Sequence, residues 1–482
     1  MEFLLIPLLA ALPLFFIKSS SARYIALGAA LLNLGLTFYR LSTFNADGSL
    51  NFVTDVAWIE AAGIHFKIGM DGISMLLVLL TNLLIPVIIQ ASASRKFDHE
   101  GQFYGLVLLM QMGLIGVFSA LDGFLFYVFW EITLIPVYFI CAIWGGEGKN
   151  RITLKFFIYT FAGSLLMLFA LLYLYTKMSA RGMAPSFDWA SLVAVAQQLP
   201  LEKQAIVLAG MFAAFAIKMP IFPFHTWQPD TYTVAPTAGS MLLSGIMLKM
   251  GIYGVIRWMI PLAPLAFHQY AWIMILLAVI GILYAAIIAI QQDDLKRLIA
   301  YSSISHVGLI AAGVLSWNVV GLQGGIIQML NHGINVVGLF FVADVIERRT
   351  GTRLLSQLGG IAKNAPKFAV MFMIVLLGSM AVPLTNAFVG EFLLLNGVYR
   401  YDFWTALVAG LTLIFCAVYM LRAYQYTMFG VPNEKTASFQ DLSVSELAVF
   451  GVLAVLILGL GVYPQPVLDL TAASVDKLVA TF

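Results

Sequence analysis

Six ionisable residues stand where a lipid-embedded chain would ordinarily carry none. Glu131 lies in "FYVFWEITLIP", Lys218 in "FAAFAIKMPIFPFHTW", Lys249 in "SGIMLKMGIYG", His306 in "LIAYSSISHVGL", His332 in "QMLNHGINVVG" and Glu391 in "AVPLTNAFVGEFL". Charges deep in apolar spans are costly and usually functional. An isolated buried lysine or carboxylate is driven toward its neutral form. An acid about 4 Å away at an effective dielectric near 20 favours the charged lysine by about 4 kcal/mol. One pKa unit corresponds to about 1.4 kcal/mol. Glu131 approaching or leaving Lys218 therefore switches that lysine between holding and releasing a proton. A fixed ion pair that only sets helix register is the competing reading. His306 and His332 lie near Ser302, Ser303, Ser305, Asn331 and Asn335. Neutral imidazole with hydroxyls and water relays protons, and the same groups also serve as hydrogen-bonding glue between helices. His225, beside Trp227, either joins such a relay or satisfies an opened backbone. Lys249 has no evident partner in the sequence.

The elements that must position these residues are membrane helices. Of 482 residues, 61% are hydrophobic and 10% charged, and mean hydropathy is +0.94. Soluble domains carry about 25% charged residues. The apolar runs are continuous, without the alternation of a membrane barrel, and each approaches the roughly 20 residues a span needs. They predict an all-α polytopic membrane protein with about 14 spans. These lie near 3–17, 22–40, 70–91, 102–120, 123–144, 155–177, 204–232, 235–258, 271–290, 298–315, 321–343, 368–399, 403–421 and 445–463. The first lacks a positive n-region and a clear cleavage site and reads as a retained helix. Lys18, Arg23, Arg95, Lys96, Lys149, Arg151, Lys155, Lys296, Arg297, Arg348, Arg349, Arg353, Lys363, Lys367, Arg422 and Lys435 fall on one side. The positive-inside rule makes that side cytoplasmic and both termini external. The remaining acids read as structural. Asp293 and Asp294 resemble an N-cap, Glu147, Glu347 and Asp441 lie in polar loops, and Asp344 sits at the cytoplasmic edge. Asp122 falls in a tight external turn, and Asp71 and Asp230 lie near span ends.

Other chemistries find no support. Cys141 and Cys416 are isolated within spans, with no metal-ligand spacing. No dinucleotide fingerprint or P-loop is present. The chain is expected to hold no cofactor or metal and to bind no nucleic acid, its basic residues being loop anchors. It forms a single membrane domain over 1–482. Three N-terminal helices occupy 1–101. Two blocks of five spans follow, 102–258 and 271–422, with a last helix at 445–463. Five is odd, so the second block enters from the opposite side, the pattern of an inverted repeat. The third span of each block is interrupted by proline, at Pro220 and Pro223 in one and Pro383 in the other. Proline removes a backbone donor, and in lipid such a break survives where protein or cavity water satisfies the freed groups. Paired breaks point to two ion sites at mid-membrane, with ordinary proline kinks as the alternative.

A resemblance attaches to these residues. "DGISMLLVLLTNLLIP", "FWEITLIPVYF", "LKFFIYTFAGSLLML", "KMPIFPFHTWQPDTYTVAPTAGSMLLSGIMLKMGIYG", "DDLKRLIAYSSISHVG" and "NAFVGEFL" resemble the antiporter-like membrane subunits of bacterial respiratory complex I (NADH-quinone oxidoreductase), in particular their M-type members. The resemblance runs over essentially the whole chain. It implies 14 helices in two inverted five-helix repeats, broken seventh and twelfth helices, and proton translocation driven by quinone reduction elsewhere. NADH, flavin, iron–sulfur clusters and quinone would belong to the rest of the complex, and neighbouring L-type and N-type subunits would be partners in a bacterial inner membrane. Carried over by motif, Glu131 and Lys218 form the intake-side pair and Lys249 the central connection. His306 and His332 belong to the polar axis, and Glu391 is the exit-side carboxylate. Most relatives carry lysine where this chain has Glu391, and the L-type lateral helix has no counterpart here. The alternatives are a subunit of a multi-subunit sodium/proton antiporter or membrane-bound hydrogenase, a stand-alone secondary transporter, and a di-heme cytochrome ligated by His306 and His332.

Overall fold

The computed structural model describes residues 1–17 and 21–482, so Lys18 lies outside the described residues. Helices dominate because an apolar helix satisfies its own backbone in lipid. After α1 (Glu2–Leu14) and α2 (Ser21–Ser42) comes a hairpin of β1 (Asn51–Ile59) and β2 (Ile64–Met70). Then follow α3 (Gly72–Ala91), α4 (Glu100–Ser119), α5 (Gly123–Trp144), α6 (Lys149–Ser179) and α7 (Trp189–Gln197). Next are α8 (Leu201–Lys218), α9 (Gln228–Val234), α10 (Thr237–Leu262), α11 (Pro264–Gln291), α12 (Leu295–Leu315) and α13 (Val319–Thr350). The last are α14 (Pro366–Ser379), α15 (Asn386–Tyr401), α16 (Phe403–Met428), α17 (Val444–Val462) and α18 (Gln465–Thr481). Among the described residues, eleven helices are long and apolar enough to cross a membrane. This is a multi-pass membrane protein.

Burial sorts the helices. The apolar stretches of α10 and α13 are entirely buried, whereas those of α2, α16 and α17 are mostly exposed. Helices buried all round belong to the interior of the bundle, and the others present one side to lipid. Lys249, His306 and His332 therefore ride on the innermost helices. The interior helix α10 contains two π-helical turns, Leu243–Met247 and Val255–Met259. Such turns often mark functional positions.

Both spans expected to break at proline are interrupted. Helix α8 stops at Lys218, and α9 resumes at Gln228. Helix α14 stops at Ser379, and α15 starts at Asn386. In the first gap the Trp227 indole Nε1 donates to the Ile217 carbonyl at 2.9 Å. His225 does not cap the gap: its Nδ1 is unpartnered, and its ring packs on Phe222 and Tyr284. In the second gap Asn335 Nδ2 donates to Gly378 O at 3.0 Å and Asn331 Nδ2 to Asn386 O at 2.8 Å.

Three features correct the sequence expectation. The fold is not purely α, because residues 51–70 pair as an antiparallel hairpin. Those residues interleave Val, Phe, Trp and Ile with Thr, Asp, His and Lys, too polar for a span but suited to a half-exposed sheet. Gly63, at φ +60°, takes the left-handed turn between the strands. Second, α18 follows the last expected span. It buries Val467, Thr471, Ser474, Val475 and Leu478, a one-face spacing, while Asp469, Asp476 and Lys477 keep it from reading as a span. Third, Asp122 lies in the tight turn between α4 and α5 as expected, but the turn is not a bare surface loop. The residue is fully buried, accepts from Phe124 N at 2.9 Å and Leu125 N at 3.0 Å as the N-cap of α5, and accepts from His65 N at 3.1 Å.

The basic residues placed on the cytoplasmic side meet their partners at one end of the bundle. Arg95 reaches Asp344 at 2.6 Å and Glu347 at 3.0 Å. Arg348 and Arg349 share Glu446 at 2.7 and 2.5 Å. Arg353 binds Asp294 at 2.6 Å. Asp294 also caps α12 through Arg297 N at 3.0 Å, as its sequence position predicts.

Candidate functional site

Four of the six candidate residues form one buried row. Lys249 Nζ donates to the Ser244 carbonyl at 2.6 Å and contacts His332 Nδ1 at 2.9 Å. Ser244 lies five residues back, within the π-turn, and the wide i to i+5 pattern of that turn leaves its carbonyl for the ammonium. His332 Nε2 meets the Ser303 hydroxyl at 3.2 Å, and Ser303 meets Ser244 Oγ at 3.3 Å. The His332 and His306 rings are 6.3 Å apart, centroid to centroid. His306 Nδ1 contacts Glu391 Oε1 at 2.9 Å. Beside these rings lies a cavity of about 20 Å³ whose walls include His306, His332, Gln328, Asn335 and Glu391. A site of roughly 10–15 Å³ with two to four polar partners holds one water.

The hydrogen-bond pattern assigns donors. An ammonium at Lys249 donates to His332 Nδ1, leaving the imidazole proton on Nε2 facing Ser303. His306 donates from Nδ1 to the Glu391 carboxylate, leaving Nε2 to accept from Cys416 Sγ at 3.3 Å or Tyr419 Oη at 3.5 Å. Both ring nitrogens of each histidine are engaged by protein groups. Gln328 Nε2 donates to the same Glu391 oxygen at 3.3 Å, and Glu391 Oε2 is buried without a partner.

The other two candidates form a separate pair. Lys218 is 2% exposed, and its Nζ has no hydrogen-bond partner. It lies 5.2 Å from the centroid of the Trp130 ring, a cation–π contact. Glu131, one residue on from Trp130, is half-buried, with Oε1 unpartnered. The two charges face one another electrostatically but make no ion pair within 4.0 Å. Lys218 ends α8, where the helix dipole favours a cation, whereas Glu391 lies in the second turn of α15.

Sequence reasoning passed over several residues of the interior. Ser244, Cys416 and Tyr419 complete the row through contacts between helices distant in sequence. Asp71, expected to be bland, forms a buried ion pair with Arg257 and caps α3 through Ser74 N at 3.1 Å. An arginine at the end of an apolar span is a signal in itself, and Arg257 carried it.

A multi-pass protein whose two interrupted helices flank a buried row of acid, lysine and imidazole falls in the class of antiporter-like membrane subunits. The chain belongs to the NADH:quinone oxidoreductase/Mrp antiporter transmembrane family, whose sequence model matches residues 120–416. It is similar to NADH-quinone oxidoreductase subunit M of Rickettsia conorii, 39% identical over 461 residues, covering 95% of this chain and 92% of that one. It is equally similar to F420H2 dehydrogenase subunit M of Methanosarcina mazei, 39% identical over 485 residues, with 99% and 97% covered. A chain of respiratory complex I from Thermus thermophilus superposes with TM-score 0.90 at 32% identity, covering 99% of both. A chain of the Mrp complex from Dietzia sp., 21% identical with TM-score 0.85 and 55% of its length covered, shares the fold.

Proposed function

We propose that this chain is the proton-translocating M-type membrane subunit of an NADH-quinone oxidoreductase, coupling quinone reduction elsewhere to proton movement through Glu131, Lys218, Lys249, His332, His306 and Glu391. The carrying observation is the buried row of two hydrogen-bonded pairs, Lys249–His332 and His306–Glu391, whose rings lie 6.3 Å apart beside a polar cavity. With Glu131 withdrawn, Lys218 loses the attraction that holds its proton and passes it inward.

In this reading the chain has 14 spans, counting each interrupted helix once, and its 102–258 and 271–422 blocks are inverted repeats. It sits in a bacterial inner membrane between L-type and N-type neighbours, and NADH, flavin, clusters and quinone bind other subunits. Relatives named for NADH and for F420H2 match it at the same identity, in keeping with donor choice residing outside this chain. A sodium/proton antiporter or hydrogenase subunit is the second reading. Glu391, paired here with His306 where lysine is usual in such relatives, favours the first.

The test uses the whole complex, purified in mild detergent and reconstituted with NADH and quinone. Lys218→Ala and Glu131→Ala are each expected to suppress proton pumping and coupled quinone reduction while the complex still assembles. Normal pumping in both variants overturns the reading. Co-purification of small antiporter subunits in place of NADH-oxidising ones would establish the alternative.

A further inference from the structure

The proposed path has a gap. Lys218 and Lys249 belong to one proposed path, yet no direct hydrogen bond joins the Glu131–Lys218 pair to the Lys249–His332 cluster. The helices carrying them touch backbone to backbone. A Cβ on Gly251, two residues past Lys249, would lie 2.9 Å from Phe215 O and from Met219 N at the end of α8. The two lysines are thus on helices in close contact, with no direct hydrogen bond between them.

Helix α9 supplies the missing polar groups. Trp227 is tied to the Ile217 carbonyl, next to Lys218, and Gln228 is the following residue. Gln228 is 0% exposed, yet its Nε2 and Oε1 both lack partners. One turn on, at i+4, Tyr232 is also 0% exposed with an unpartnered Oη. That hydroxyl faces the Gln228 side chain and the Ser244 hydroxyl without a direct bond to either. Ser244 in turn holds Lys249 Nζ through its carbonyl and Ser303 through its hydroxyl. With Lys218 Nζ, four buried polar atoms are unsatisfied at the end of α8 and on α9, the helix that follows its break. About 90% or more of buried polar groups find a partner, and ordered water supplies it where protein does not.

We propose that Gln228 and Tyr232 form the bridge between Lys218 and Lys249, holding a short file of water that carries the proton across. This rests on the reading of the preceding subsection. The roles differ by chemistry. The Gln228 amide offers two N–H donors and a carbonyl acceptor, so it positions water next to Lys218 without itself changing protonation. The Tyr232 hydroxyl accepts a proton at a lone pair as it gives up its own toward Ser244, and returns unchanged. A proton leaving Lys218 Nζ is thus matched by one passed from Ser244 Oγ through Ser303 Oγ to His332 Nε2 and by one passed from His332 Nδ1 to a neutral Lys249 Nζ, which leaves the ammonium and the imidazole tautomer described above, with the net charge of the bridge the same before and after. Glu131 and Trp130 face Lys218 from α5. His332 and Ser303 complete the far side.

The test is Tyr232→Phe, which removes one oxygen and keeps the ring packed near Trp227 and Phe340, and Gln228→Met, which keeps length and removes every donor and acceptor. Both are made in the assembled complex, with Gln228→Glu as the polar control and Lys218→Ala alongside. The expected result is at least a tenfold fall in proton pumping for Tyr232→Phe and for Gln228→Met, with a solvent deuterium isotope effect larger than in the unaltered complex. Gln228→Glu should recover much of the loss. A packing role would lower assembly or thermal stability and leave the isotope effect unmoved, which would overturn the proposal. So would normal pumping in both variants while Lys218→Ala is inactive. Normal pumping in Lys218→Ala itself would instead sink the function reading beneath it.

Discussion

Glu391 shares one carboxylate oxygen between His306 and Gln328 and leaves the other unpartnered and buried. Burying a charge requires pairing and hydrogen bonds, and His306 and Gln328 supply them to one oxygen only. Glu391→Gln keeps the shape and removes the charge. It is expected to cut proton pumping severely in reconstituted complex, with the subunit still present at normal level. Asp122 makes the useful contrast. Its Oδ1 accepts from Phe124 N and Leu125 N and its Oδ2 from His65 N; asparagine keeps the helix cap through its one oxygen and gives up only the His65 contact. Asp122→Asn is therefore expected to pump nearly normally, while Asp122→Ala loses about 1–2 kcal/mol of stability, read as a fall in Tm. Among these residues the types were legible in the sequence, since an acid or lysine inside an apolar run declares itself. Partners were not: Lys249 binds His332, 83 residues away, and nothing in either segment names the other.

At the scale of elements, the helix breaks were legible and their repair was not. Pro220, Pro223 and Pro383 marked both interruptions, but Trp227, Asn331 and Asn335 satisfy the opened carbonyls, not His225. Close helix contact carries its own prediction. Gly251→Ala would place a methyl against the α8 backbone and separate the helices bearing Lys218 and Lys249. It is expected to lower both Tm and pumping, whereas Gly451→Ala, with open space around it, changes neither. The hairpin was missed because a search for long apolar runs passes over twenty residues of alternating character. It is tied down through Lys67 to Asp188 and Asp55. Partial burial works against the charge on Lys67, but Asp188 and then Asp55 hold its pKa above the ordinary 10.5. A raised folded-state value means the tie is fully present below the ordinary lysine range and is lost as pH rises through the higher folded value. Amide exchange in residues 51–70 is therefore expected to stay slow through neutral pH and to accelerate, beyond the intrinsic base-catalysed rise, only in strong alkali.

Across the whole molecule, one end of the bundle is laced by ion pairs and its interior holds the polar row. Glu446 anchors Arg348 and Arg349 at once and closes a capping box with Ser443. Removing one partner of a buried pair costs about 3–5 kcal/mol, and partial exposure of the two arginines reduces this. Glu446→Gln is expected to cost about 2–3 kcal/mol, read as a lower Tm in detergent, with proton pumping per quinone reduced unchanged in the complexes that survive.

By itself the sequence determined the membrane class, most span positions, the two breaks and the residue types able to exchange protons. Each of these follows from local physics: the hydrophobic length of a helix, the missing donor of proline, the cost of a charge in lipid. Only the tertiary structure decided which charges meet. The row Lys249–His332–His306–Glu391 is drawn from α10, α13, α12 and α15, and its order in space differs from its order in the chain. Helix packing sets that order through close contacts such as Gly251 on α8. Such contacts depend on shapes contributed by segments far apart in sequence, and no local pattern records them.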